Sequence, residues 1–231
     1  MGLCRARYRA ARVADRARQR PLAAPRGAAR GDSRRDGRAV RRRPARRLGA
    51  PAVTTIETER LLLRKPRLED AADLAVAYAD PETVRYIGDG STATREQVEQ
   101  GIAFWLERWE ANGVGLFSME RHEDGRVIGR SGFLVWDGGA WEVANFADAG
   151  ERAEVELGWL VAREHWGQGY ATEAALAMRD WGIAERGFTR LISIIGHSNA
   201  RSVRVAEKIG ERYERDIVPW GKPAMLYALQ A

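Results

Sequence analysis

Residues 155–186 restrict the fold more than any other part of the chain. They read as a strand, a glycine-bearing turn and a helix in direct succession. The apolar run Val155–Val161 suits a strand, and Tyr170–Arg186 continues at helical spacing to Gly187. A second apolar run over Leu191–Ile195 makes the unit a strand–helix–strand crossover, the connection that parallel neighbours in a sheet require. The turn also has chemistry. Its free N–H groups and the dipole of the following helix form a cradle for an anion. Gly167 and Gly169 let the backbone approach a phosphate without a Cβ in the way. Neither common phosphate motif is present. Thr172 stands where a dinucleotide fingerprint wants a third Gly or Ala, and Tyr170-Ala171 stand where a nucleoside-triphosphate loop wants Lys then Ser/Thr. Taken alone, the Gly-x-Gly turn reads equally well as a tight strand–helix connection.

The flanking segments place this unit in a mixed sheet. Arg60–Arg64 reads as a strand ended by Pro66. Leu68–Ala79 follows as a helix opening with Glu69 and Asp70 and broken at Pro81. Thr94 caps a second helix over Arg95–Ala111, with Gly113 beyond its end. Gly115–Arg121 and Arg126–Val135 form a hairpin. The acidic stretch 137–153 is long for a connection and is a candidate binding loop. A helix over Ser202–Ile209 and strands over Tyr213–Val218 and Ala224–Leu229 close the chain. This order predicts an α/β (α+β) fold with a mixed sheet.

Charge divides the chain in two. The net +6 hides 17 Arg against three acids in residues 1–50, and 21 bases against 29 acids in 51–231. The domain reading is therefore an Arg-rich disordered extension over 1–52 and one folded domain over 53–231. Arg, Ala, Gly and Pro make up 37 of the first 50 residues, the bias of translated GC-rich leader sequence, so the natural start is expected near Val53. Nucleic acid becomes a partner only if that extension belongs to the protein.

The single cysteine, Cys4, lies in the extension, so the folded part has no thiol nucleophile, disulfide or Cys-based zinc site. His122, His165 and His197 are too widely spaced for a metal pattern, and no metal is expected. No apolar run approaches a membrane span, and the first residues lack a signal core, so a cytoplasmic setting is expected.

Two blocks resemble the GNAT N-acetyltransferases, in the ribosomal-protein N-terminal acetyltransferase (RimJ/RimL-like) branch. The first is Trp166-Gly167-Gln168-Gly169-Tyr170-Ala171-Thr172-Glu173-Ala174. The second is Asn199, Ser202, Val205, Glu207-Lys208 and Gly210. Thr58-Glu59-Arg60-Leu61 and Asp80-Pro81-Glu82 match that branch's opening, so the resemblance spans about residues 54–229. It implies a central, mostly antiparallel sheet flanked by helices, with acetyl-CoA as co-substrate. The backbone of Trp159, Leu160 and Val161 would face the pantetheine arm. His165, Trp166, Gly167, Gln168, Gly169, Tyr170, Ala171 and Thr172 would hold the pyrophosphate. Asn199 and Ser202 would lie at the thiol end, and Asn199 is equally a helix cap. Glu164 departs from the pattern, standing where the family loop has Gln or Arg.

Acetyl transfer needs a neutral amine, a polarised carbonyl and a protonated thiolate. With no cysteine in the domain, transfer is expected to be direct. In the family's arrangement Glu156 is the base acting through water, an amide such as that of Leu160 or Val161 polarises the carbonyl, and Ser202 protonates the thiolate. Glu156 also reads as a carboxylate paired with an Arg, and Ser202 as a first-turn helix residue. The favoured acceptor is a protein N-terminal α-amine. A small cationic amine, a polyamine or aminoglycoside, is the alternative, and a non-catalytic acyl-CoA-binding module is the alternative of another class. Monomer and homodimer both stay open.

Overall fold

The computed structural model describes residues 55–231. The reading of residues 1–52, and a start near Val53, lie outside the described residues. Strands β1 (Thr55–Glu57), β2 (Leu61–Arg64), β3 (Leu116–Arg121), β4 (Val127–Asp137), β5 (Glu142–Val143), β6 (Ala153–Val161), β7 (Arg190–Ile195), β8 (Arg212–Ile217) and β9 (Ala224–Gln230) form one sheet. Its order is β1-β2-β3-β4-β6-β7-β9-β8, with β5 on β4. Neighbouring strands are antiparallel except β6 and β7, which are parallel as the crossover requires. The helices are α1 (Ala71–Ala79), α2 (Pro81–Val84), α3 (Arg95–Asn112), α4 (Phe146–Ala149), α5 (Tyr170–Arg186) and α6 (Ala200–Lys208). The α/β fold with a mixed sheet is what the pattern predicted, and the mostly antiparallel sheet flanked by helices is what the resemblance implied.

Strand alternation sends each face to a different helix layer. Leu61, Leu63, Phe117, Met119 and Leu157 pack under α5, against Ala174, Ala175 and Met178. Leu116, Val127 and Leu160 point the other way, under Leu74 of α1 and Ile102 and Trp105 of α3. Fully burying each such side chain contributes about 1.5–3 kcal/mol. Helix α3 begins in a capping box between Thr94 and Gln97 and ends at Gly113 in the left-handed region, as its sequence predicts. No helix among the described residues is long and apolar enough to cross a membrane.

Three local expectations are corrected. Leu68–Asp70 is a 3₁₀ turn rather than the first turn of the helix, and Asp70 is buried. It accepts from both terminal nitrogens of Arg64 at 2.7 and 2.9 Å and from the Ser118 hydroxyl at 2.6 Å, so it works as a core anchor. Pro81 ends α1 but also opens α2, at the first helical position where its missing N–H costs nothing. The 137–153 connection folds on itself: Arg152 binds Asp137 at 2.6 Å, and β5 and α4 lie within it.

Candidate functional site

Strands β6 and β7 pair at a single register position, Glu156 with Ile192, and then part. Backbone direction alternates along β6. The Ala162 N–H bonds Ile128 of β4, and the Ser131 hydroxyl of β4 bonds the Gly158 carbonyl. Gly158, Leu160 and Ala162 therefore face β4, while Leu157, Trp159 and Val161 face β7. A regular parallel ladder would next pair the Leu157 carbonyl with the Ile194 amide. Instead the Ser193 hydroxyl donates to the Leu157 carbonyl at 2.8 Å, and the Ile194 N–H stabilises the charge on the Glu156 carboxylate. Both groups are satisfied without the ladder, so the strands can separate.

The separation opens a cleft of about 280 Å³, open to solvent. Its strand wall is Trp159, Leu160 and Val161; its floor is residues 165–167 and 169–172; α2 and α6 close the two sides. Gly167 and Gly169, at φ 77° and 88°, turn the chain into α5 through a region where a Cβ is strained. The Val161 carbonyl is already bonded by the Trp166 indole at 2.8 Å, which leaves the N–H groups of Trp159 and Val161 on the open edge. Arg60 fixes the turn from outside. It donates to the Gln168 carbonyl at 2.9 Å, pairs with Glu173 at 2.6 Å, and stands over the Tyr170 ring at 4.4 Å.

The residues expected to hold the co-substrate all line this cleft except Gln168. The Gln168 side chain folds back to the Glu164 carbonyl at 3.2 Å, which turns it away. Asn199 caps α6 by accepting from the Ser202 N–H at 3.2 Å while still lining the cleft, so it serves as a cap from a position in the wall. Ser202 lies beside it. His165 is in the floor. His197 is exposed and bonded to Asp216 at 3.0 Å. None of the 137–153 connection lines the cleft.

Glu156 is half-buried on β6, three residues before the strand wall that begins at Trp159, and is not itself among the residues that line the cleft. Burial pushes its carboxyl above the usual carboxylate range. The Trp136 indole N–H at 2.7 Å, the charge of Arg130 and the Ile194 amide oppose that shift without cancelling it. A carboxylate raised toward neutrality suits proton transfer. Arg130 itself is held by the Tyr78 hydroxyl at 2.7 Å.

Sequence reasoning missed the cations of α6. Arg201, Arg204 and Lys208 line the cleft, with the Arg201 guanidinium 3.8 Å from the centre of the Trp166 ring. They supply the positive charge that Glu164 withholds from the turn. The signal was present as Arg201, Arg204 and Lys208 at helical spacing, which puts them on one side of α6. Among the described residues no group of three or more His, Cys, Asp or Glu is set to hold a metal.

Comparison with known proteins agrees with this geometry. The family model described as "Acetyltransferase (GNAT) domain" matches residues 60–212. An uncharacterised protein of Bacillus subtilis, YkkB, is 34% identical over 180 residues, covering 76% of this chain and 95% of that protein. An acetyltransferase of Agrobacterium tumefaciens superposes with a TM-score of 0.62 at 26% identity, covering 81% of this chain and 100% of that one. A GNAT-family acetyltransferase of Bacillus anthracis gives 0.61 at 25% identity, with 77% and 98% covered. A strand pair held apart above Glu156, a left-handed glycine turn at a helix N-terminus and the match over residues 60–212 meet in one conclusion: this chain belongs to the GNAT acetyltransferase family.

Proposed function

We propose that this protein transfers acetyl from acetyl-CoA directly to an amine, with a protein N-terminal α-amine as the favoured acceptor, as in the RimJ/RimL-like branch. The observation that carries the reading is the cleft itself. It combines an open strand edge and a glycine turn at a helix N-terminus, and the half-buried carboxyl of Glu156 stands on the same strand just before that edge, where β6 and β7 part.

The residues fit acetyl-CoA along its length. The amides of the 165–172 turn and the cations Arg201, Arg204 and Lys208 suit its phosphates. The Trp159 and Val161 N–H groups suit the pantetheine amides and the thioester carbonyl. Of the two amides expected to polarise that carbonyl, the Leu160 N–H faces β4, so the role falls to Val161. When bound, acetyl-CoA supplies an activated acetyl group. Glu156 accepts the amine proton through water, and Ser202 returns a proton to the departing sulfur. An α-amine with a pKa near ~8 is roughly 10% neutral at pH 7, against about 0.04% for a lysine amine near ~10.4. One carboxylate base is therefore adequate for the α-amine.

The test is thiol release from acetyl-CoA with Ala- and Ser-initiated peptides, spermidine and kanamycin. Turnover of the peptides, lowered about 100-fold by Glu156→Gln and about tenfold by Ser202→Ala, supports the reading. Turnover of spermidine or kanamycin alone overturns the acceptor. Near-normal kcat/KM in both variants overturns the two roles. CoA binding without turnover of any amine would mark a non-catalytic module.

A further inference from the structure

Trp220, in the turn between β8 and β9, is 55% exposed and sits at φ 50°, in the left-handed region that bulky side chains disfavour. Its ring packs against that of Trp136, with centroids 4.7 Å apart and planes tilted by 46°. Trp136 lies on β4, is 2% exposed, and donates its indole N–H to the Glu156 carboxylate at 2.7 Å. An indole nitrogen can only donate, so a buried one must find an acceptor. The register explains the reach. Trp136 pairs with Glu154 and Leu134 with Glu156, which makes Trp136 and Glu156 diagonal neighbours on one face. Beyond the turn, the Lys222 ammonium donates to the Gly88 carbonyl at 3.3 Å, tying the β8–β9 turn to the connection after α2.

We infer that Trp136 and Trp220 are positioning residues of the reaction: Trp136 aims the Glu156 carboxylate, and Trp220 clamps the Trp136 ring from the solvent side. The inference rests on the proposed role of Glu156. A strained, exposed tryptophan is hard to explain by stability alone, and its ring touches the residue that holds the base. A short charge-assisted bond from Trp136, together with the Ile194 amide, fixes the orientation of the carboxylate. The remaining groups around Glu156 are Arg130 on β4, the Ile194 amide on β7, and Glu211 at the head of β8. Arg130 and the amide favour the charged form. Glu211 is pushed up to about 8 by burial, so it is mostly neutral at pH 7 and repels Glu156 only in more alkaline solution. Among the described residues Trp136 is thus the one side chain donating a hydrogen bond to the base, and its removal leaves only the Arg130 charge and the Ile194 amide to oppose burial.

Trp136→Phe keeps a ring and deletes the N–H. Because the lost bond favoured the charged carboxylate, the acid limb of kcat moves up by about one pH unit. The value of kcat falls on the acid side of the profile and recovers on the alkaline plateau, with KM for acetyl-CoA unchanged. Trp220→Ala moves the limb the same way by less, and Trp220→Phe restores it. The experiment measures thiol release with an Ala-initiated peptide across this range for these variants and Glu156→Gln. It is joined by ¹H–¹⁵N spectra of the indole N–H groups in the protein without acetyl-CoA. The Trp136 resonance, identified by its loss in Trp136→Phe, titrates with the carboxyl and stops titrating in Glu156→Gln. An acid limb unmoved by Trp136→Phe, or a Trp136 resonance indifferent to pH, overturns the inference. A normal profile in Glu156→Gln overturns the base assignment instead, whatever Trp136→Phe does. If Trp136→Phe does not fold, Trp220→Ala and the wild-type titration decide.

Discussion

Ser193 donates its hydroxyl to the Leu157 carbonyl at 2.8 Å, on the edge of β6 where a backbone amide of β7 would otherwise bond. This bond lets two strands of one sheet part without leaving a buried carbonyl unsatisfied. Ser193→Ala removes it while the backbone stays parted. Stability should fall by about 1–3 kcal/mol, the cost of a buried acceptor left without a donor. Urea unfolding measures this, and an unchanged midpoint and slope would refute it.

Glu211 is 1% exposed, and neither of its oxygens has a hydrogen-bond partner. Its neighbour Ser193 has its proton engaged by Leu157. Burial first, then the nearby charge of Glu156, push the Glu211 carboxyl up to about 8. The sign follows from linkage. Below the unfolded value near 4.5 both states are protonated. As pH rises toward 8 the unfolded chain ionises first, and stability is lost. Glu211→Gln should flatten that decline and gain a few kcal/mol over wild type at pH 8–9, relative to the difference at pH 4. Thermal unfolding across pH reads it, and parallel curves for the two proteins would refute it.

Arg64 and Asp70 are 6% and 5% exposed and share a bidentate bond, with Ser118 and the Arg67 N–H completing the shell of Asp70. Burial raises the Asp70 carboxyl, but these four donors outweigh it and hold it below the usual range. Its contribution is therefore present above pH 4 and is lost as pH falls through the folded value. Asp70→Ala leaves a buried guanidinium with Glu120 as its one carboxylate partner and should cost about 3–5 kcal/mol. Asp70→Asn should show a shallower loss of stability between pH 4 and 2. Denaturant titrations at the two pH values separate these outcomes.

Arg60 connects the β1–β2 turn to the cradle through the Gln168 carbonyl and Glu173. Arg60→Ala should leave the fold intact and loosen the cradle, raising KM for acetyl-CoA roughly fivefold with little change in kcat. Steady-state kinetics with acetyl-CoA varied will show whether the loss lies in KM. A loss confined to kcat would place Arg60 with the chemistry instead.

The order of elements was legible because each carries a local signal. Thr94 and Gln97 start α3, Gly113 ends it, and Gly187 ends α5, all by backbone geometry that neighbouring residues set. The Gly167-x-Gly169 turn was legible for the same reason: two left-handed positions need glycine, and a helix follows at once. Asp70 was misread because its position suited a helix start, while its partners Arg64 and Ser118 arrive on different strands. Lys208, Arg204 and Arg201 were passed over because a basic helix face looks solvated until a cleft is found beside it.

The sequence by itself determined the mixed sheet, the crossover and the glycine turn at the start of α5, since these follow from periodicity, caps and glycine within short windows. Tertiary structure alone decided what surrounds Glu156. Trp136 reaches it from β4, Ile194 from β7 and Glu211 from the head of β8. No local rule links residues 20 to 55 positions apart, and only the strand register sets which of them meet in the low-dielectric interior, where one donor or one carboxyl changes the charge of another.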